Sequence, residues 1–546
     1  MATTPSIAMI PSGYKDEKVY SVLPTNGDGD FTFARTSTAT RVNNNGLIEE
    51  VGINKPRLDY SDGACPSLLL EPTSTNKIKY SEAFGGSYWT KSNSTVQGDP
   101  STAGTEEVTN GDFATDTDWT KGIGVTITGG KAVFVSSTLN DPSLYQSSVL
   151  SINKTYKVTF EVLNYSSGEV AAWSGGDQNS GDNGTFNSNG IKTVYVTTTV
   201  ASNGILIFGS SSVAGNFDID NVSVKEVQGF ASPSGDTSAF KLVEGASNGE
   251  HFIQATGLNI TDDKYSFTLF AKAGGNSKLR VRGANYFDNT TAADFDLTAK
   301  TATNLSSGAN AKIVEMSNGW FKCTFTSLNN GDVGGSGHFR IYLLDDNGDV
   351  SWLGDGTSGV YIFGAQLEEQ SYATSYIKNE GTAAGITRAA DTANGSGDAT
   401  VINSTEGVLY FESSALANDV GSTRVLSISD GTGSNTLYTG YSSASNVIQA
   451  QLLVGGVAQT DMIHTVTDRT DFIKVAILYQ NNNHKMFVNG VEVATDIVGL
   501  VPSANTFNKL NFDLGQSSFD FYGKVKDLRV YTTALSDAEL TTLTTI

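Results

Sequence analysis

Alternation of apolar and polar residues with a period of two recurs along this chain, and it restricts the fold more than any other feature. The segments "YKVTFEV" (156–162), "YSFTLFAKA" (265–273), "VYIFGAQL" (360–367), "FIKVAILY" (472–479) and "KMFVNGVEV" (485–493) each put apolar side chains on one face of an extended strand. Gly, Ser, Asn and Asp separate them, and 58 glycines against 10 prolines suit many short strands joined by tight turns. Asn489-Gly490 lies between two alternating runs and predicts a two-residue hairpin, because both turn positions need positive φ. The clearest helical signal is "LSDAELTTL" (535–543), where Ser536 caps a short helix with Glu539 three residues on. The predicted class is all-β, with several antiparallel jelly-roll sandwiches.

At 546 residues the chain exceeds one hydrophobic core and holds roughly three or four domains. Two stretches each look like a domain opening: "YSEAFGGSYWTK" (80–91) and "NGDFATDTDWTK" (110–121). Their continuations come in reverse order. "LSINKTYKVTFEV" (150–162) and "GNFDIDNVSVKEV" (215–227) precede their counterparts "LNITDDKYSFTLFA" (258–271) and "GVYIFGAQLEEQ" (359–370). Removing residues 104–228 brings the Trp89-to-Tyr265 spacing into the range of the Trp119-to-Tyr156 spacing. The order is therefore nested: a host sandwich of 78–103 with 229–387 carries an inserted sandwich, 104–228, in one loop. First and last strands of a sandwich commonly end close together, so the host only lengthens a surface loop. A flexible linker, "RAADTANGSGDAT" (388–400), precedes a third unit, 401–546. Residues 1–77 carry extended pieces, "FTFARTSTATRVN" and "SLLLEPTSTN", that make a poor independent globule; they are expected to dock on the host sandwich or on another protein.

The formal charge of -22 is spread in single Asp and Glu residues, which excludes phosphate-backbone binding and indicates no nucleic-acid partner. It suits a soluble protein with acidic turns. Cys65 and Cys323 lack metal-ligand spacing and are expected to be two buried free thiols. The N-terminal stretch lacks the pattern of a secretion signal, and no apolar run is long enough for a membrane helix. The expectation is synthesis in a cytoplasm, no membrane insertion, and release by lysis or within a particle.

Sugar recognition combines an aromatic face for the apolar side of a pyranose with amide and carboxylate partners for its hydroxyls. "AAWSGGDQNSGDNGTFNSNG" (171–190) places Trp173 and Phe186 in a polar Gly/Asn-rich loop, with loop packing as the competing role. Trp119 and Trp89 follow the two openings at matching positions, where core or sheet-edge packing competes with stacking, and Trp320 in "NGWFKC" reads as core. For catalysis, "FDID" puts Asp218 and Asp220 on one strand face, yet no glucanase-type carboxylate pattern, nucleophile elbow or phosphate loop accompanies them. No catalytic residue is assigned, and the chain reads as a non-enzyme.

Three resemblances extend this reading. The third unit, with Glu406-Gly407, "VNGVEVA" and "GKVKDLRVYTTALSDAEL", resembles the laminin G-like or concanavalin A-like jelly rolls. The inserted unit resembles jelly-roll carbohydrate-binding modules that open Asn-Gly-Asp-Phe (110–113) and close Asp-Asn-Val-Ser-Val (220–224). That resemblance implies a structural calcium site at Asp112 and Asp220; Asp355 and the turn "LDDNGDV" (344–350) are weaker sites, and plain turn chemistry is the alternative. The head, "FTFARTSTATRVNNNGLIEEV" with "PRLDYSDGACPSLLLEPTSTN" and "GDGTSGVYIFGAQLEEQSYATSYI", resembles tailed-bacteriophage virion proteins of tail-fibre and receptor-binding type. This implies a virion adhesin that binds host-surface polysaccharide, joins other virion proteins through residues 1–77 and forms a homotrimer. The alternatives are a purely structural head fibre or capsid decoration protein, and a polysaccharide depolymerase tailspike.

Overall fold

Strands form where the alternation runs, and Gly and Asn turns end them. The computed structural model describes residues 4–135, 143–152, 154–174, 186–198, 206–210, 215–261, 264–284, 291–305, 310–328, 335–515 and 518–546. The fold is all-β, built from several antiparallel sheets. The chain divides into two units, Met1–Thr75 with Thr374–Ile377 and Thr387–Ile546, and Asn76–Ala373 with Lys378–Ile386.

In the first unit, two sheets enclose one core. The larger runs Val491–Asp496, His484–Val488, Ile473–Gln480, Glu406–Ala415, Gly523–Tyr531, Ser67–Leu70, Arg57–Asp59, with Ile7–Met9 also on Gly523–Tyr531. The smaller runs Val457–Thr465, Val447–Val454, Thr436–Tyr441, Arg424–Ser429, Lys509–Asn511. Leu409, Phe411, Leu426, Ile428, Leu437 and Ile477 fill the space between them. Residues read as a separate N-terminal segment supply sheet and core to this sandwich: Leu68 pairs with Val525, Ile7 with Val530, and Met9, Phe31, Phe33 and Leu70 join the same apolar cluster. An "LLL" run needs two buried faces, and a position inside the larger sheet, between Gly523–Tyr531 and Arg57–Asp59, provides them. The Asn489-Gly490 hairpin forms with φ of 48° and 86°, and Ser536 and Glu539 make a reciprocal capping box on Asp537–Thr544. That helix covers the outer face of the larger sheet, where Leu540 packs in a cluster with Val408, Tyr410 and Leu478.

The charged residues of the head motifs lie inside this unit. Arg57 bonds Glu71 Oε2 at 2.6 Å through Nη1 and Asp391 through Nη2. Arg35 reaches Asp391 at 3.0 Å, and Arg388 bonds Glu71. Ser375 donates to Glu71 from its amide at 2.8 Å and its hydroxyl at 2.7 Å. The "ARTST", "PRLDY", "LLLEPT" and "TRAAD" motifs therefore meet in one buried ionic network.

The second unit holds two sandwiches with separate cores. Trp89–Ser92 pairs with Phe252–Ile260 (Trp89 opposite Ala255), and Ser94–Gln97 with Phe240–Glu244 (Ser94 opposite Glu244), so the first opening is continued by strands beyond residue 229. The second opening is continued within the insert: Thr120–Lys121 pairs with Ser143–Gln146, and Thr155–Ser167 with Asn216–Val227. The two ends of the insert run side by side, with Asp99 N–H on Gln228 O and Gly104 N–H on Glu226 O, both 2.8 Å. Adjacent ends explain how one sandwich tolerates another in its loop. Cys323 is buried, and burial pushes its thiol up; Cys65 is exposed, because the turn between Arg57–Asp59 and Ser67–Leu70 faces solvent.

Candidate functional site

The aromatic residues singled out in the inserted sandwich are largely enclosed. Trp119 is 6% exposed, packs on Phe113 at 5.4 Å and Phe208 at 6.0 Å, and donates its indole N–H to Asn110 O at 2.9 Å. A ring so enclosed offers no open face to a sugar, so the stacking role read for Trp119 gives way to core packing. Trp173 is 9% exposed and sits opposite Ile207, on the other side of its strand from the core residues Val170 and Ala172. Phe186 is half-buried, exchanges both backbone hydrogen bonds with Val170 at 2.8 Å, and packs toward the core beside Phe160. Trp173 and Phe186 therefore point to opposite faces and form no joint platform; residues 175–185 of their loop lie outside the described residues. Trp89 and Trp320 are fully buried core residues.

Asp112 is exposed and accepts from the amide of Ala114 at 3.3 Å; Asp220 accepts from its neighbour Asn221 at 2.7 Å. Calcium needs six to eight oxygens, and among the described residues no group of three or more His, Cys, Asp or Glu side chains is placed to hold a metal. The side chains present do not fit that shell. Asp355 caps its own turn, accepting from the amides of Thr357 and Ser358 at 2.7 Å, and these bonds hold its carboxyl well below the usual range. Asp345 does the same for Asn347 and Asp349. Asp218, the nearest approach to a catalytic carboxylate in the "FDID" strand, is held by Lys131 at 2.5 Å and Asn164 at 2.6 Å.

A different arrangement appears on the smaller sheet of the first unit. Strand register sets Asn511, Ser427, Tyr438, Gln451 and Asp461 directly opposite one another across five strands, on the face turned away from Leu426, Ile428 and Leu437. Neighbours in such a row lie about 5 Å apart. Its inner end is closed: Asn511 accepts from Gly395 N–H at 2.8 Å, and Ser427 is fully buried with its hydroxyl unpaired. Its outer end is open, since Tyr438 and Gln451 are half-buried and Asp461 is exposed. Tyr438 donates its hydroxyl to Gln451 Oε1 at 2.9 Å; burial, and then the Asp461 charge, push that hydroxyl up, so it remains a donor at neutral pH.

The adjacent row holds Gly440, Gln449 and Ile463. Gly440 has φ of 149°, and a Cβ there would lie 2.4 Å from Arg424 O, so only glycine fits and the surface beside Tyr438 stays flat. Ile463 is 66% exposed and adds apolar surface. One aromatic, two amides, a carboxylate and an aliphatic side chain supply what a pyranose needs: an apolar surface beside fixed donors and acceptors. These residues sit at alternate positions of "TLYTGY" and "VIQAQLLV", and the repeated polar residue in "IQAQL" is the signal that sequence reading passed over.

This face lies within residues 415–541, which match the family model described as the concanavalin A-like lectin/glucanases superfamily. The first unit thus carries a lectin-like sandwich. Among solved structures, the chain is similar to the CBM40 module of the Ruminococcus gnavus IT-sialidase bound to α2,3-sialyllactose, at 21% identity over 28% of this chain and 93% of that one, with a TM-score of 0.24. It is also similar to domain 4 of AbnA, a GH43 extracellular arabinanase from Geobacillus stearothermophilus, in complex with arabinotriose: 13% identity over 28% of this chain and 73% of that one, TM-score 0.23. Sheep galectin-11 in complex with glycerol shares 12% identity over 23% and 86% of the two chains, TM-score 0.16. No curated protein matches the chain.

Proposed function

We propose that the chain is a non-enzymatic adhesin of a tailed-bacteriophage virion, a tail fibre or similar component, that binds polysaccharide on the host surface. The observation that carries the binding role is the row of Tyr438, Gln451 and Asp461 at the open end of the outer face of the lectin-like sandwich. The virion role rests on the head motifs. In this reading the protein is made in the host cytoplasm, joins other virion proteins through residues 1–77 and assembles as a homotrimer. Repetition on one particle then raises the effective concentration of weak sites. The deciding experiment is a glycan array probed with the full chain and with Tyr438→Ala: retention by host glycans that is lost in the variant supports the reading, and equal retention refutes it.

A second reading has support in the inserted sandwich. Enclosure of Trp119 and Trp173 leaves that module better suited to spacing than to sugar stacking, as in a structural head fibre or decoration protein. Antibody labelling of intact particles separates tail from capsid, and blocking of adsorption separates adhesin from scaffold.

A further inference from the structure

The host sandwich has a polar outer face rich in arginine. In the sheet of Phe252–Ile260, Gly335–Leu343 and Lys278–Ala284, register places Gln254, Arg340 and Arg282 in one row and Phe252, Tyr342 and Arg280 in the next. Both rows face away from the core residues Ile253, Ile341 and Val281. Arg282 and Arg340 are direct cross-strand neighbours, a like-charge pairing that costs stability in a sheet. Three guanidinium groups thus meet on a chain with a formal charge of -22, and Asp294 and Asp349 act on one of them, Arg280.

Arg340 is held by neutral groups. Its Nε donates to Gln254 Oε1 at 2.5 Å, its Nη1 donates to Tyr342 Oη at 3.1 Å, and its guanidinium carbon lies 5.1 Å from the Phe252 ring centre. Among the described residues no carboxylate lies within ion-pair distance of it. Arg280, by contrast, is neutralised by a two-bond fork to Asp294, at 2.6 and 2.9 Å. Nearby, burial and then the Arg340 charge push the His338 imidazole down. A guanidinium fixed by an amide, a phenol and an aromatic face is already ordered, so binding an anion costs it little rotamer entropy.

We infer that this face binds the anionic group of an acidic saccharide: Arg340 receives the carboxylate or sulfate, while Phe252 and Gln254 meet the sugar that carries it. Guanidinium prefers two-oxygen anions, and charge complementarity favours such a ligand over a neutral sugar. The site is independent of the Tyr438 face and stands even if that face binds nothing.

The test titrates the full chain with tetragalacturonate, its uncharged methyl ester and a sulfated tetrasaccharide, for wild type, Arg340→Gln, Arg340→Lys and Tyr438→Ala. Wild type is expected to bind an acidic probe and not the ester. Arg340→Gln should bind about tenfold or more weakly, as for loss of a charged hydrogen bond. Arg340→Lys, which keeps the charge and protects against a folding failure, should weaken binding by an intermediate factor, and Tyr438→Ala should bind as wild type. Preference between the two acidic probes identifies the anion. Binding of neither acidic probe, equal binding of the ester, or unchanged binding by Arg340→Gln overturns the inference.

Discussion

Arg57 and Asp391, 334 residues apart in the chain, are joined guanidinium to carboxylate, and both side chains are fully buried. Arg57 also bonds Glu71, so one arginine ties the N-terminal residues to the stretch before the lectin-like strands. Removing one member leaves a buried charge uncompensated. Arg57→Met is therefore expected to destabilise the first unit by about 3–5 kcal/mol, read as a lowered urea midpoint with unchanged slope. A loss below about 1 kcal/mol would contradict a structural role for the head motifs.

The same network sets a pH dependence. Burial alone would raise the Glu71 carboxyl, but the charges of Arg388 and Arg57 and the Ser375 hydrogen bond outweigh it and hold the group well below its ordinary value of 4.5. A depressed folded-state value means stability present above the unfolded value and lost as pH falls through and below it. Asp527 works oppositely, since its burial raises its carboxyl against the pull of Arg529. The melting temperature of the first unit should drop progressively from about pH 5 downward, and Glu71→Gln should flatten that dependence while lowering stability at pH 7. A slope unchanged in Glu71→Gln would refute the assignment.

Trp119→Ala removes a core indole and its hydrogen bond to Asn110. It is expected to cost the inserted sandwich about 3–5 kcal/mol and to leave glycan retention by the full chain unchanged. Lost retention with unchanged stability would restore Trp119 as a binding residue.

Because residues 99–104 run beside 226–228, a chain in which Gly104 to Glu226 is replaced by a short Gly-Ser linker should keep the host sandwich folded. Hydrogen exchange in Phe252–Ile260 and Lys264–Gly274 reads this directly. Collapse of protection there would show that the host depends on its insert.

Much of the fold was legible because its signals are local. Alternation located the strands, Asn489-Gly490 the hairpin, Ser536 and Glu539 the helix cap, and the two Trp-Thr-Lys openings the order of the strands that complete each. Pairings such as Leu68 with Val525 were hidden, since nothing local in "SLLLEPTSTN" specifies a partner near the other end of the chain. The site was less legible for a related reason. Trp173 and Trp119 sit in polar sequence yet are covered in three dimensions, whereas Tyr438, Gln451 and Asp461 become neighbours only through the register of separate strands.

The central claim, glycan adhesion through the open face of the lectin-like sandwich, is tested most directly by glycan retention of matched variants. On neutral glycans, Tyr438→Phe keeps the ring and loses one hydroxyl bond, for an expected loss of about two- to tenfold, while Tyr438→Ala removes the platform and should abolish retention at unchanged melting temperature. Wild-type retention of neutral glycans by a stably folded Tyr438→Ala would contradict the account.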